Sequence, residues 1–210
     1  MARPSKPLIS RAAAVQASLD IIEAHGLAGF SVPRLARHLG VRTPSLYYHF
    51  TDKSEILAEV ARLIAGRSVV RPPQLPGSDW PEYFVSLAVN LRRAVLCHPN
   101  AVALLLHYPP RDFLLGGFED ATRYLHESGV PDRLHMRILD GLETLSLGAV
   151  LSEALARPKS GGAVFPDVDP ARAPVLAEAL AANDLSAAQL FEVNIRSFLH
   201  GVLSVDDRTR

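Results

Sequence analysis

Apolar residues recur along this chain at the spacing of helices. Val15, Leu19 and Ile22 stand four and then three residues apart, which places them on one face of a helix. Ser10 can accept from the first turn as an N-cap, and Gly26 can end the helix in a left-handed turn, so a helix is predicted over 11–25. Leu27 and Phe30 carry the apolar set across a short loop. Ser31 then caps a second, short helix, with Pro33 in its first turn, where a missing amide costs nothing. Leu35, Ala36 and Leu39 should point inward from it, and Arg34, Arg37 and His38 outward. Gly40 follows at once, leaving room only for a tight turn before Thr43 and Pro44 repeat the same start signal. Thr51 or Asp52 caps a fourth helix from Lys53, with Ile56, Leu57, Val60 and Ile64 as its apolar stripe.

Residues 71–79, RPPQLPGSD, interrupt this pattern with three prolines and a glycine. Beyond them helices are predicted over 80–98, 101–107, 111–128 (ended by Gly129) and 131–156. A loop rich in glycine and proline over 157–170 is expected to be the most disordered stretch. Two last helices follow, about 171–182 and 186–205, apolar on more than one face. No stretch alternates as a strand does, and no repeat is visible. The expected fold class is all-α, with one domain over 1–66 and a larger one over 67–210.

Two short helices joined by a glycine-containing turn form the helix-turn-helix unit, whose second helix enters the DNA major groove. Here that second helix reads TPSLYYHF. Leu46 and Phe50, four apart, share a face and should dock onto Leu19, Leu35 and Leu39. Thr43, Pro44, Ser45, Tyr48 and His49 then face out, with Tyr47 toward one flank. Each suits a groove. The hydroxyls of Thr43 and Ser45 can donate or accept, Pro44 offers an apolar face to a thymine methyl, and tyrosine hydroxyls reach phosphates. Lys53 adds a cation beside the same strand, and the amides opening its helix can take a phosphate. A lone tyrosine at such a place is more often the edge of a core. Six groove-compatible residues in seven positions, followed by a lysine, are not.

Charge sharpens this picture only at the N-terminus. The 210-residue chain holds 22 basic and 22 acidic residues. Residues 1–50 hold six basic residues against two acidic ones, a net +4, which leaves −4 for the remainder. A basic head on an acidic body points to an anionic partner at that end.

Residues 10–57 resemble the N-terminal DNA-binding domain of TetR-family transcriptional repressors. The resemblance rests on Ala14 and Leu19, on Gly26 and Leu27, on SVPRLARHLGV from Ser31, and on TPSLYYHFTDKSEIL from Thr43. It implies base or groove contacts for Thr43, Pro44, Ser45, Tyr48 and His49, and phosphate contacts for Tyr47 and Lys53. Ser31 and Arg42 are secondary phosphate candidates. Pro33 departs from the family, many of whose members carry a basic residue there. More weakly, LRRAVLCHPNAVALL, ESGVPDRLHMRILDGLETLSLGAVLSEAL and FEVNIRSFLHGV resemble the C-terminal domain of the tetracycline-repressor branch. That implies a body that binds a small effector and pairs as a homodimer through a four-helix bundle. Phe191, Ile195, Phe198 and Leu199, with Leu145, Leu147 and Leu151, are candidates for that bundle or for the core of one protomer.

The resemblance thus implies a repressor that binds palindromic double-stranded operator DNA as a homodimer and is released by a small, largely apolar effector. An activator, or a helical interaction protein without DNA binding, are the alternatives. The effector should lie among Leu91, Val95, Leu105, His107, Tyr108, Phe113, Tyr124, Leu142 and Leu145. Leu104 and Ser152 fall where tetracycline-binding members carry a metal-ligating histidine and an acidic residue, which argues against a magnesium–tetracycline chelate. Enzyme chemistry finds no footing. The eight histidines are scattered, with His98, His107, His126 and His135 able to form a metal cluster only if folding gathers them. No phosphate loop or nucleophile elbow is present, and no cofactor is expected. The single cysteine, Cys97, excludes an internal disulfide framework. With no run of about 18 apolar residues and no apolar leader at Met1, a cytoplasmic location and no membrane partner are expected.

Overall fold

The computed structural model describes residues 9–68, 75–160 and 168–207. Among these are ten α-helices and no strand: α1 (Arg11–His25), α2 (Val32–His38), α3 (Thr43–Leu46), α4 (Lys53–Ser68), α5 (Trp80–Leu96), α6 (Ala103–His107), α7 (Arg111–Glu127), α8 (Asp132–Ser160), α9 (Pro174–Ala182) and α10 (Ala187–Asp207). A 3₁₀ turn, Leu27–Gly29, follows α1. The all-α reading therefore stands.

Local chemistry accounts for most of the boundaries. The Ser10 hydroxyl accepts from the Ala13 amide at 3.1 Å, a side-chain cap on an otherwise unpaired donor. Gly26 closes α1 at φ +69, its amide donating to the Ile22 carbonyl at 2.7 Å, in a conformation that side chains resist. At α9 the expected start at 171 gives way to Pro174. A proline suits the first turn of a helix and biases the residue before it toward extended backbone, and Ala173 sits at φ −140. Residues 171–173 instead form a turn on Asp169, whose carboxylate accepts from the Ala171 amide at 2.9 Å. In the other direction α8 runs on to Ser160, past the expected end at 156. Half of the loop predicted over 157–170 and part of the break over 71–79 lie outside the described residues.

Packing divides the chain into two units, residues 1–68 with 94–115, and residues 69–93 with 116–210; the divisions fall within α5 and α7. In the first unit α1 packs on α2 and α4, α2 on α3, and α4 on α6. Leu19, Ile22, Leu35, Leu46, Ile56, Ile64 and Leu104 are fully buried there. Each such side chain is worth about 1.5–3 kcal/mol of transfer free energy. The 98–101 turn is tied to α1, because Asn100 Nδ2 donates to the Glu23 carbonyl at 2.8 Å.

In the second unit α10 lies against α8 and buries Phe191, Ile195, Leu199 and Val202, a stripe of one helical face. Its packing uses Gly141 of α8: a Cβ there would stand 2.2 Å from Phe198 Cζ, so a larger residue would have to displace the ring. Arg92 of α5 meets Glu153 of α8 through two hydrogen bonds of 2.7 and 2.9 Å, both side chains largely withdrawn from solvent. Breaking such a pair from one side would leave a desolvated charge, a loss of about 3–5 kcal/mol. Tyr83 and Tyr124 stack at 3.9 Å, and the Tyr124 hydroxyl donates to the Leu75 carbonyl at 3.0 Å.

Candidate nucleic-acid interface

The interface is built from α2, a glycine turn and α3. At the end of α2 the Val41 amide donates to the Ala36 carbonyl at 2.9 Å and the Gly40 amide to the Arg37 carbonyl at 3.2 Å. With Gly40 at φ +67 this is the Schellman arrangement, which satisfies the last carbonyls of α2 while reversing the chain. Arg42 is extended, at φ −85 and ψ 146, and Thr43 is already helical. Thr43 is therefore not the cap that the sequence suggests, and α3 starts without a side-chain cap on Arg42. Regular helix stops at Leu46, but the His49 and Phe50 amides still donate to the Leu46 carbonyl, at 2.9 and 3.0 Å, and carry the turn onward.

Leu46 and Phe50 are buried, as their spacing requires. Outside them Tyr47 is 52% exposed and Tyr48 is 90% exposed. Pro44 and Arg42 are exposed, and Thr43, Ser45 and His49 are half-buried. An almost fully exposed tyrosine has no packing role, so its ring is available to a partner. Ser31, also exposed, accepts from the Arg34 amide at 3.3 Å as the cap of α2. Lys53 reaches the same edge: its Nζ donates to the Phe30 carbonyl at 3.1 Å and stands 5.6 Å from the centre of the Phe30 ring. An ammonium has three donors, so one carbonyl leaves capacity for an anion beside Ser31.

Three local expectations need correction. Arg34 does not face out; its Nη1 donates to the Gly29 carbonyl at 2.7 Å and closes the 3₁₀ turn. Leu39 is only half-buried. The opening of α4 is held by carboxylates, with Asp52 Oδ1 accepting from the Glu55 amide at 2.9 Å and Glu55 Oε2 accepting from the Thr51 amide at 2.5 Å. A phosphate there would meet two acidic groups and an amide already in use, which repels it.

In the sequence Arg11 stands out only as a charge, and Glu55 has no assigned role. Arg11 Nη1 donates to the His49 carbonyl, and Nη2 meets Glu55 Oε1 at 2.6 Å and Glu59 Oε1 at 3.2 Å. Its guanidinium lies 4.6 Å from the centre of the Phe50 ring. The Thr51 amide, the Arg11 guanidinium and the Thr51 hydroxyl together hold the Glu55 carboxyl down to about 2. The box of Asp52 and Glu55 was readable from their spacing. Its partner 44 residues away was not.

The residues expected to line an effector pocket divide between the two units. Val95 and Leu105 are buried in the first, Tyr108 is half-buried and His107 is exposed, its Nδ1 2.8 Å from the Ala103 carbonyl. Phe113 lies outside the residues whose side chains are described. Tyr124 and Leu142 are buried in the second unit, Leu91 is half-buried and Leu145 is exposed. An open groove of about 640 Å³ runs between α1 and α4, lined by Arg11, Val15, Glu59, Arg62, Leu63 and Arg67 among others. Histidines are not gathered for a metal. His126 Nδ1 and His135 Nε2 approach Asp132 at 3.2 and 3.8 Å, and no set of three donors forms among the described residues. No helix among these residues is long and apolar enough to cross a membrane.

Known proteins place this geometry. Residues 14–60 match the family described as bacterial regulatory proteins, tetR family, and residues 72–205 match the tetracycline repressor-like C-terminal domain. The class E tetracycline repressor protein of Escherichia coli is 25% identical over 188 residues, spanning 89% of this chain and 87% of the repressor. An HTH-type transcriptional regulator of Saccharopolyspora erythraea is 31% identical over 100 residues, 48% of this chain and 42% of that protein. Among solved structures, a possible TetR family transcriptional regulator of Streptomyces coelicolor superposes with a TM-score of 0.77 at 25% identity, over 93% of this chain and all of that one. ActR of the same organism, in complex with actinorhodin, shares the fold at a TM-score of 0.75 and 23% identity, over 93% of this chain and 97% of ActR. With a helix-turn-helix that shows its tyrosines to solvent and family matches over both halves, this chain belongs to the TetR family of transcriptional regulators.

Proposed function

We propose that this protein is a repressor that binds palindromic operator DNA as a homodimer and releases it when a small, largely apolar effector binds the C-terminal domain. One observation carries the DNA reading: Tyr47 and Tyr48 stand exposed on a segment whose Leu46 and Phe50 are buried. In this reading Thr43, Pro44, Ser45, Tyr48 and His49 reach bases or groove backbone, and Tyr47, Lys53, Ser31 and Arg42 reach phosphates. Residues 1–66 serve as the DNA-binding domain with its connecting helix, and 67–210 as the effector-binding and dimerisation domain.

Exposed apolar residues support pairing, since Leu145 and Leu155 on α8 and Leu190 and Val193 on α10 remain uncovered in one protomer. Within the second unit the effector lining proposed is Leu91, Tyr124 and Leu142. A metal chelate is not favoured, because Leu104 is a fully buried aliphatic residue and Ser152 carries no charge. The tetracycline repressor proteins are relatives here rather than guides to the ligand.

Selection from a randomised duplex library tests the reading. A palindromic site should be enriched, and its binding should weaken steeply with salt through counterion release. Replacing Lys53 with Ala should weaken binding to every duplex and lower the salt slope by about one ion. No enrichment by the intact protein would overturn DNA binding. An unchanged slope with altered base preference would remove Lys53 from the phosphate role.

A further inference from the structure

We propose that Arg11 is a positioning residue for DNA recognition: it clamps the C-terminal end of the recognition segment to α1 and α4 and so fixes where Tyr47, Tyr48 and His49 meet the groove. This inference rests on the DNA-binding role proposed above. Arg11 stands at the start of α1, far from Tyr48 in sequence, and itself contacts no part of the exposed recognition surface except through the backbone. One arm of its fork donates to the His49 carbonyl, the other meets Glu55 and Glu59, and the plane of the fork covers Phe50. Phe50 is 2% exposed and ends the recognition segment. Glu55 in turn accepts from the Thr51 amide and hydroxyl, at 2.5 and 2.8 Å. Every residue from His49 to Thr51 is therefore held, directly or through one carboxylate, by the same guanidinium.

The need for such a clamp follows from how short α3 is. Regular helix ends at Leu46, so Tyr47, Tyr48 and His49 lack a full ladder of backbone bonds beneath them. A turn of this kind can shift by an ångström at small cost, and base readout tolerates little displacement. A planar fork bonded in two directions fixes position as well as charge, which an ammonium on a flexible stem does not. Arg11 is thus suited to set specificity while adding little to overall affinity. The carboxylate side of the clamp stays ionised at any pH used for DNA binding, since Glu55 titrates near 2.

Arg11→Lys is the decisive variant, because it keeps the charge and removes the fork. The site enriched by the wild-type protein and a random duplex of equal length are the two probes, and melting temperature is measured in parallel. Arg11→Lys is expected to lower the ratio of specific to random affinity about tenfold or more, with random-duplex affinity and salt slope unchanged. Glu55→Gln, which leaves the guanidinium in place but removes one of its two anionic partners and the anchor of Thr51, should lower the ratio in the same direction. An undiminished ratio in Arg11→Lys would overturn the clamp, and so would equal losses on both duplexes, which mark a purely structural role. If Arg11→Lys fails to fold, the ratio for Glu55→Gln decides in the same way. Failure of the wild-type protein to enrich any site would instead reject DNA binding itself, so the two ideas fall to different results.

Discussion

His98 shows what a single residue gains from its surroundings. Arg67 Nη1 lies 2.9 Å from His98 Nε2, while Arg67 Nη2 donates to Gln16 at 2.6 Å. A guanidinium can only donate, so the imidazole accepts and must be neutral at Nε2. Burial first, and then Arg67, lower its pKa from the ordinary 6.5, with Asp20 acting weakly the other way. The unfolded chain then binds a proton more readily than the folded one as pH falls through 6.5. Stability is full above that value and is lost toward the lower folded pKa. Glu23, whose burial raises its carboxyl above the ordinary 4.5, acts in the opposite sense as pH falls, so the comparison with a His98 variant is what isolates the imidazole. Melting temperature should therefore fall as pH drops below about 6.5, and His98→Gln, which keeps an acceptor for Arg67, should flatten that fall. Equal slopes in the two proteins would remove His98 as the cause.

At the scale of elements, helix positions were legible and helix contacts were not. The caps at Ser10 and Ser31, the glycine stops at Gly26, Gly40 and Gly129, and the proline at α9 are local chemistry, readable within a few residues. The shift of α9 to Pro174 shows a local rule overriding an apolar pattern. Gly141 is the contrasting case. Nothing in its neighbourhood distinguishes it from a weak spot in a long helix, yet the Phe198 ring of α10 occupies the space that a Cβ there would need. Ala at 141 would favour the helix by about 1 kcal/mol on propensity alone. A methyl group 2.2 Å from the Phe198 ring must instead displace that ring. Overpacking of this kind costs about 1–3 kcal/mol, so Gly141→Ala should destabilise on balance. Chemical denaturation measures this directly; a gain in stability would mean that Phe198 moves aside freely.

The whole molecule is proposed to act as a pair, because one recognition segment reads too few base pairs for a unique site. Two copies related by a two-fold axis meet half-sites about one helical turn, roughly 34–36 Å, apart. Inserting about five base pairs between the half-sites of a selected duplex would turn the second half-site to the opposite face of the DNA. Binding is expected to fall to the level of a single half-site, and to recover in part when about ten are inserted. Indifference to spacing would argue against a fixed pair of heads.

The sequence by itself determined the helices, the helix-turn-helix and the outward face of TPSLYYHF. These depend on residues within a turn or two of each other, and the spacing of apolar positions decides them. The burial of Leu46 and Phe50 beneath exposed Tyr47 and Tyr48 follows that local rule. Tertiary structure alone decided which distant groups meet: Arg11 with His49 and Glu55, Lys53 with the Phe30 carbonyl, Arg92 with Glu153, and Phe198 with the bare backbone of Gly141. Such pairs leave no periodic trace, because a charge or a glycine can serve at many positions until the fold brings one partner within reach. The groups that hold the recognition segment in place were therefore hidden in a sequence that openly displayed the segment itself.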